Sequence, residues 1–265
     1  MMASKWNNKP DNISLVFQRI INTYKESKQE IHDYKGSEIS VSYIENYYFI
    51  SYPRFYLVYS LVSSYLSQGS SILEVGPGYG FILLSLKDAG YTVKGAELDV
   101  NIPAYSRTLI HEGVPLYPLN IEQDVISDEI QGNDLIIASE VLEHLHTSLI
   151  VSVGRIASMC KNGGLILITV PNIYRLENYL KIFFRENICE DFPSNSHSDI
   201  AQQVDLRTHP REPTMKDLVR AVEGNHLEIV RKGYFSSSLM AKYPIFAKLI
   251  PPPLREHLFV LAKKP

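Results

Sequence analysis

The chain has 265 residues, 45% hydrophobic and 21% charged, with a formal net charge of -3 and a sequence pI near 6.2. This is ordinary globular usage, and it excludes a disordered tail, a collagen-like repeat and a coiled coil. The length suits one large domain or two small ones, and the acidic balance excludes a global basic field that would draw the chain to nucleic acid or an anionic membrane.

Cys160 and Cys189 are too few for a disulfide framework and form no Cys-x-x-Cys pair. The opening MMASKWNNKPDN lacks the apolar stretch of a signal peptide, and no run of about 18 apolar residues suggests a membrane span. A reduced, cytoplasmic protein is expected. Residues 1–13 are polar. Ser14 is placed to cap a helix through Phe17, Ile20, Ile21 and Tyr24, and the charged stretch 25–35 extends it or links it onward. Nine of the 17 tyrosines fall in the first 65 residues. Tyr47, Tyr48, Phe49, Tyr52, Phe55, Tyr56 and Tyr59 read as aromatic packing against the main domain or as a lid over a site.

From Ser71 strand and helix patterns alternate. Strands are expected at Ile72–Val75, Thr92–Glu97, Pro115–Leu119, Asp134–Ser139 and Gly164–Val170. Helices are expected at Phe81–Ala89, closed by Gly90, and at Ile102–His111, closed by Gly113. Helical sequence also follows the fourth strand to Met159, with a break near His146 and Thr147. This rhythm implies a parallel sheet with helices on both faces. Beyond Pro171 a helix is expected at Tyr174–Arg185, then polar irregular sequence over 186–212. Pro213 and Thr214 open a helix Met215–Glu223, and strands follow at Leu227–Tyr234 and His257–Lys263. The stretch 240–254, MAKYPIFAKLIPPPL, holds four prolines and cannot be one regular helix.

The strongest local signal is Ile72-Leu73-Glu74-Val75-Gly76-Pro77-Gly78-Tyr79-Gly80-Phe81: a strand, a glycine turn and a helix start. Glycines here allow positive φ and close approach of a ligand. The spacing is Gly-x-Gly-x-Gly, one residue tighter than the Gly-x-Gly-x-x-Gly that holds a pyrophosphate. Glu74, inside the strand end, suits an amine-bearing ligand better than a pyrophosphate. Glu97 ends the second strand 17 residues after Gly80, where a carboxylate can accept from both hydroxyls of a ribose.

Gly76–Gly80, Glu97 and Glu140-Val141-Leu142-Glu143-His144-Leu145 together resemble the class I S-adenosylmethionine-dependent methyltransferases, with similarity from about Tyr52 to Lys263. The closest flavour is the small-molecule O-methyltransferase group that includes the ubiquinone-biosynthesis enzymes. The resemblance implies an α/β, Rossmann-like, seven-stranded sheet, mostly parallel, with His257–Lys263 as its one antiparallel strand. An N-terminal helical, aromatic-rich extension over 1–51 would precede a catalytic domain over 52–265, with a substrate-region insertion at about 173–212. The implied cofactor is S-adenosylmethionine. Its methionine part would be wrapped by the loop Gly76, Pro77, Gly78, Tyr79 and Gly80, with Glu74 orienting the amino group through water. Glu97 would hold the ribose and Leu98 pack on the adenine, Asn120 and Ile121 would touch the adenine edge and face, and Ser139 would face the methionyl portion. Arg54 lies where such enzymes place an arginine on the cofactor carboxylate, although its spacing from the loop differs; its other reading is a surface salt bridge.

Methyl transfer needs alignment of the nucleophile with the methyl–sulfur axis and exclusion of water, and a base where the nucleophile is a phenol or alcohol. Read as the start of a helix, Glu140-x-x-Glu143-His144 places three polar side chains on one face. Three readings stand. His144 or His146 is the general base; or Glu140, Glu143 and His144, with a more distant His209, hold a divalent metal as in metal-dependent relatives; or these side chains shape the pocket floor. His209, in His-x-Arg, resembles a stretch that enters the substrate site in several branches. Acceptor contacts are expected among Tyr174, Arg175, Asn178 and Tyr179 and in the tyrosine-rich segment near Tyr43–Tyr52.

The reading is an enzyme that methylates a small-molecule acceptor, on oxygen: a sugar, glycolipid, quinone precursor or secondary metabolite. No nucleic-acid partner, membrane span or resident metal is assigned, and a homodimer is allowed. The rivals are an RNA-end methyltransferase, which would need clustered Lys and Arg, an NAD-dependent oxidoreductase on a Rossmann fold, and a non-catalytic cofactor-binding subunit.

Overall fold

The structure is a computed structural model and describes residues 12–26, 39–99, 102–188, 209 and 211–265. Cys189 and most of the polar segment 186–212 lie outside the described residues; Cys160 is buried. The strands are β1 (Ser71–Val75), β2 (Thr92–Glu97), β3 (Leu116–Pro118), β4 (Asn133–Ser139), β5 (Cys160–Pro171), β6 (Glu228–Phe235) and β7 (His257–Lys263). They form one seven-stranded sheet in the order β3-β2-β1-β4-β5-β7-β6. The β1–β2, β2–β3 and β4–β5 ladders are parallel, and β7 runs antiparallel to both β5 and β6. This is the mostly parallel sheet with one reversed strand that the resemblance implies. The apolar runs Leu135–Ala138 and Ile166–Ile168 are buried throughout, because strands covered on both faces need no alternation.

The chain divides into two compact units, Met1–Leu119 and Asn120–Pro265. The first holds β1–β3 with α1 (Asn12–Glu26), α2 (Val41–Tyr65), α3 (Phe81–Asp88), α4 (Ile102–Tyr105) and α5 (Arg107–His111). Helix α1 buries Ile13, Val16, Ile20, Ile21 and Tyr24, the stripe of an amphipathic helix. That stripe begins before Ser14, so Ser14 sits inside the first turn rather than ahead of it; its Oγ lies 3.2 Å from the Tyr48 hydroxyl. Arg19 pairs with Asp88 at 2.6 Å and with Glu112 at 3.4 Å, and the Tyr24 hydroxyl donates to the carbonyls of Ala104 and Tyr105 at 2.8 and 2.9 Å. Helix α2 starts at Ser40, whose Oγ accepts from the Tyr43 amide at 3.2 Å, and runs unbroken through Pro53. The single helix expected over 102–111 is two pieces. Ser106, fully buried, breaks it and donates its hydroxyl to the Gly78 carbonyl at 3.2 Å, an alternative partner that helix geometry would deny it.

The second unit holds β4–β7 with α6 (Leu149–Ser158), α7 (Leu176–Phe183), α8 (Met215–Glu223), α9 (Ser238–Lys242) and α10 (Pro244–Leu249). Helix α6 packs on β4, β5 and α8, and α8 packs on β6 and β7. Helix α8 opens with a reciprocal capping box between Thr214 and Asp217. The proline-rich stretch forms two short helices and a 3-10 turn at Pro252–Leu254, as four prolines require. The expected helix directly after β4 is absent. Glu140 takes a left-handed backbone with φ +57°, a 3-10 turn covers Leu142–His144, and α6 begins only at Leu149. Glu140, Glu143 and His144 therefore do not share a helical face. Among the described residues no helix is long and apolar enough to cross a membrane.

Candidate functional site

The glycine loop joins β1 to α3 in the first unit. Gly76, Gly78 and Gly80 have φ of +68°, +51° and +84°, a left-handed series in which a side chain would be strained. The Gly76 amide donates to the Ala96 carbonyl at 2.8 Å and the Gly80 amide to the Pro77 carbonyl at 2.9 Å. Pro77 is buried against Gly95, where an added Cβ would lie 3.0 Å from Pro77 Cγ. A Cβ added at Gly78 would meet nothing within 4 Å, so open space lies over the turn. Glu97 ends β2 beside it, only 7% exposed. Its Oε2 accepts from the Gly78 amide at 3.2 Å and its Oε1 from the Leu98 amide at 2.9 Å. One carboxylate thus braces the loop while keeping lone pairs for a ligand's hydroxyls.

Glu74 lies behind the loop. Burial pushes its carboxyl up to about 8; Arg54 pulls it down and Glu97 pushes it up. Its Oε2 and the Tyr79 hydroxyl are buried without a hydrogen-bond partner among the described residues. Two orphaned polar atoms and an open space at Gly78 fit a ligand carrying an amino group and a ribose. Arg54 is not a surface salt-bridge residue: it is 7% exposed, donates to the Tyr47 hydroxyl at 2.9 Å and packs over the Tyr47 and Phe55 rings at 5.9 and 5.3 Å. Tyr79 is ringed by Tyr24, Tyr47 and Tyr105 at 5.5–5.7 Å between centroids. Burial pushes the Tyr24, Tyr79 and Tyr105 phenols up, Tyr105 to about 12, so these three hydroxyls stay protonated. Tyr47 was expected in an aromatic cover or among acceptor contacts rather than beside Arg54, yet it sits seven positions before Arg54 on α2, two turns along one face.

In the second unit, Asn120 serves a local turn: its amide donates to Asp124 at 2.6 Å and its Oδ1 accepts from the Glu122 amide at 3.0 Å. Ile121 is buried and its carbonyl accepts from Arg155. Ser139 ends β4 with its Oγ 3.0 Å from the Thr169 Oγ1.

The acidic and histidine residues divide into two groups. Glu143, His144 and His209 bring one potential ligand atom each within 4.8 Å of one another. Glu143 is 1% exposed, and the two imidazole rings meet edge to face at 4.8 Å. His209 is held by Glu212, whose Oε1 lies 3.4 Å from Nδ1. Glu212 in turn binds Arg175 and, at 3.3 Å, Asn178. Burial pushes the Glu212 carboxyl up, but hydrogen bonds from His209 and Arg175 outweigh this and hold it below the ordinary value. Arg211 binds the carbonyls of Leu145 and Thr147, tying the segment to the turn after β4. Arg175 and buried Asn178 are therefore supports of His209, whereas Tyr174 and Tyr179 are exposed and stack on each other at 6.3 Å. His146 is a surface residue beside Glu122 at 3.8 Å.

Glu140 stands apart from that cluster. Its Oε1 accepts from Thr169 Oγ1 at 2.9 Å, and its Oε2 lies 3.0 Å from Nδ1 of His257. His257 opens β7 and stacks on Phe235 at 4.9 Å. Its sequence position, at the start of a strand expected only to close the sheet, carried no signal of this pairing.

Comparison with known proteins accords with this geometry. A family model described as a methyltransferase domain matches residues 52–232, more than half the chain. The mitochondrial ubiquinone biosynthesis O-methyltransferase of Bos taurus is 28% identical over 138 residues, 49% of this chain and 36% of that protein's length. The chain thus spans about a third of this relative. Magnesium protoporphyrin IX methyltransferase from Synechocystis PCC 6803, solved with S-adenosylhomocysteine, superposes with a TM-score of 0.56 at 13% identity over 95% of both chains. An S-adenosylmethionine-dependent methyltransferase from Mesorhizobium loti gives 0.55 at 14% identity, covering 81% of this chain and 98% of its own. With the glycine loop, the strand-end Glu97 and the reversed β7 in place, the chain belongs to the methyltransferase domain family, as a class I S-adenosylmethionine-dependent methyltransferase.

Proposed function

We propose that the protein transfers the methyl group to an oxygen of a small-molecule acceptor, and that the cluster of Glu143, His144 and His209 belongs to the acceptor site. The convergence of these three side chains carries the reading. They follow β4, a strand whose C-terminal end is where open α/β sheets take ligands. When bound, S-adenosylmethionine supplies an electrophilic methyl on a sulfonium. The chain's own residues then have limited tasks. Glu97 orients the ribose, Glu74 the amino group, and Arg54 with Tyr47 the carboxylate. By the family resemblance, Leu98, Asn120, Ile121 and Ser139 would line the adenine and methionyl parts. Tyr79 and its aromatic ring exclude water from the loop. The 28% identical O-methyltransferase supports oxygen as the acceptor atom.

The spacing of the cluster favours a second reading of the same residues, a divalent cation held by Glu143, His144 and His209, with Glu212 fixing the His209 ring as outer-shell carboxylates do. Such an ion would supply a Lewis acid to the acceptor oxygen. The experiment is a labelled-methyl assay against phenols, alcohols, carboxylates, amines and a short RNA, with and without chelator. Labelling of oxygen acceptors alone supports the proposal, and labelling of amines or RNA alone sinks it. Loss of activity with EDTA and rescue by Mg²⁺ or Mn²⁺ supports the cation reading, and full activity in EDTA removes it.

A further inference from the structure

The Glu140–His257 pair lies outside the Glu143 cluster and has no task in the scheme above. Four residues form a chain of contacts along the C-terminal ends of β4 and β5. The Ser139 hydroxyl lies 3.0 Å from Thr169 Oγ1, Thr169 donates to Glu140 Oε1 at 2.9 Å, and Glu140 Oε2 faces His257 Nδ1 at 3.0 Å. Because the Thr169 proton goes to Glu140, Ser139 is the donor in the first link. The last contact is off the line of an ideal hydrogen bond, as resting active-site pairs often are before a substrate tightens them. Glu140 holds φ +57°, a conformation costing a non-glycine residue on the order of 1 kcal/mol or more. The Glu140 amide donates to the Thr169 carbonyl at 2.9 Å and its carboxylate is fixed from both sides. The strain is what turns this carboxylate to His257.

His257 has the features of an oriented base. Its Nδ1 faces a carboxylate, which selects the tautomer with the proton on Nδ1 and leaves Nε2 basic. Phe235 stacks on one face of the ring. No described residue hydrogen-bonds Nε2, and the side chain keeps 18% exposure. The other charged groups nearby are engaged elsewhere: Glu256 accepts from the Ser237 and Leu239 amides and from Ser238, and Arg255 donates to the carbonyls of Ile250 and Tyr234.

We propose that His257 is the base that takes the acceptor's proton and that Glu140 is its positioning residue. The inference rests on the oxygen-acceptor reading. As the acceptor oxygen bonds to the methyl carbon, the carbon–sulfur bond breaks with its electron pair passing to sulfur. The hydroxyl proton passes to His257 Nε2. The products are a methyl ether, S-adenosylhomocysteine and an imidazolium whose charge Glu140 offsets.

The test has two arms. In the first, nitrogen-15 NMR of the histidine-labelled chain with S-adenosylhomocysteine reads the His257 tautomer. We expect the Nδ1–H form in wild type, and a shift toward the Nε2–H form in Glu140→Gln. An Nε2–H tautomer in wild type overturns the proposal, whatever the acceptor. In the second, methyl transfer to 3,4-dihydroxybenzoate is followed across pH. His257→Gln lowers kcat by about 100-fold with KM within twofold, since a base contributes roughly 10²–10⁴. Glu140→Gln lowers it about 10-fold. Calorimetric affinity for S-adenosylhomocysteine stays within twofold in both. Wild-type kcat in His257→Gln overturns the proposal, as does lost S-adenosylhomocysteine binding, which marks a structural role. Should His257→Gln not fold, Glu140→Gln carries the kinetic arm. If wild type labels no oxygen acceptor but binds S-adenosylhomocysteine, the oxygen reading falls, and the His257 proposal, which needs a hydroxyl proton to accept, falls with it.

Discussion

Glu74 sets a pH dependence that belongs to one residue. Its carboxyl is fully buried with a pKa raised to about 8, first by burial. The unfolded chain releases that proton near the ordinary value of 4.5, so between these values the folded state binds more protons than the unfolded state. Stability then falls as pH rises. The contribution is fully present below about pH 4.5 and lost above about pH 8. The linkage is on the order of 5 kcal/mol at most. Denaturation of the ligand-free protein across pH 5–8 should show this decline, and Glu74→Gln should flatten it. An unchanged slope in the variant would mean that another group dominates. A ligand ammonium favours the ionised form, so S-adenosylmethionine binding should release a proton to buffer, and less so in Glu74→Gln. The strand-end places of Glu74 and Glu97 beside the glycine turn were legible from the strand and glycine pattern, and both side chains are buried there. The pairings of Tyr47 with Arg54 and of His257 with Glu140 were not legible. They depend on side-chain directions set by a buried helix face and a left-handed backbone that no spacing reveals.

The glycine turn separates two kinds of glycine within one element. A Cβ at Gly80 would lie 2.6 Å from Leu109 Cδ2 and Cγ on α5, at φ +84°. A Cβ at Gly78 would meet nothing, at φ +51°. Gly80→Ala therefore carries both backbone strain and overpacking, and should destabilise the fold by about 2–4 kcal/mol. Gly78→Ala carries the strain alone, about 1–2 kcal/mol, yet its methyl fills the space over the turn and should weaken S-adenosylhomocysteine at least 10-fold. Denaturation and calorimetry on both variants separate the effects; equal affinity for the cofactor product in Gly78→Ala would place the ligand elsewhere. At this scale the turn, α3 and the capped α8 were readable from Gly, Thr and Asp positions. The region after β4 was not. Its Glu-x-x-Glu-His pattern matches a helix by period, but Glu140 adopts φ +57° and the chain makes a 3-10 turn. Tertiary bonds from Thr169 and His257 outweigh a period match of barely more than one turn.

Across the whole molecule, strand and helix alternation from Ser71 to Pro171 reports a parallel sheet, since each parallel step needs a crossover. The reversed β7 had no such signature. Its apolar run Leu258–Ala262, buried throughout, would equally suit a parallel strand, and only the family resemblance implied its reversal. That topology bears on the identity of the ligand. A parallel sheet with a glycine turn after β1 serves nicotinamide cofactors as well as S-adenosylmethionine, and the two differ in what they ask of the turn. A pyrophosphate asks for free amides, but here the Gly78 amide is already donated to Glu97 at 3.2 Å, and a carboxylate at that point repels phosphate. A ligand with a ribose and an amino group meets no such conflict. A ligand that binds only the folded state adds about 2.7 kcal/mol at 100 times its dissociation constant, and a chain of this size gains roughly 2–4 °C per kcal/mol. S-adenosylhomocysteine at that excess should raise the melting temperature by about 5–10 °C, NAD at equal concentration should leave it unchanged, and Glu97→Ala should lose most of the rise. A rise with NAD matching that with S-adenosylhomocysteine would show that the Glu97 carboxylate does not govern the turn.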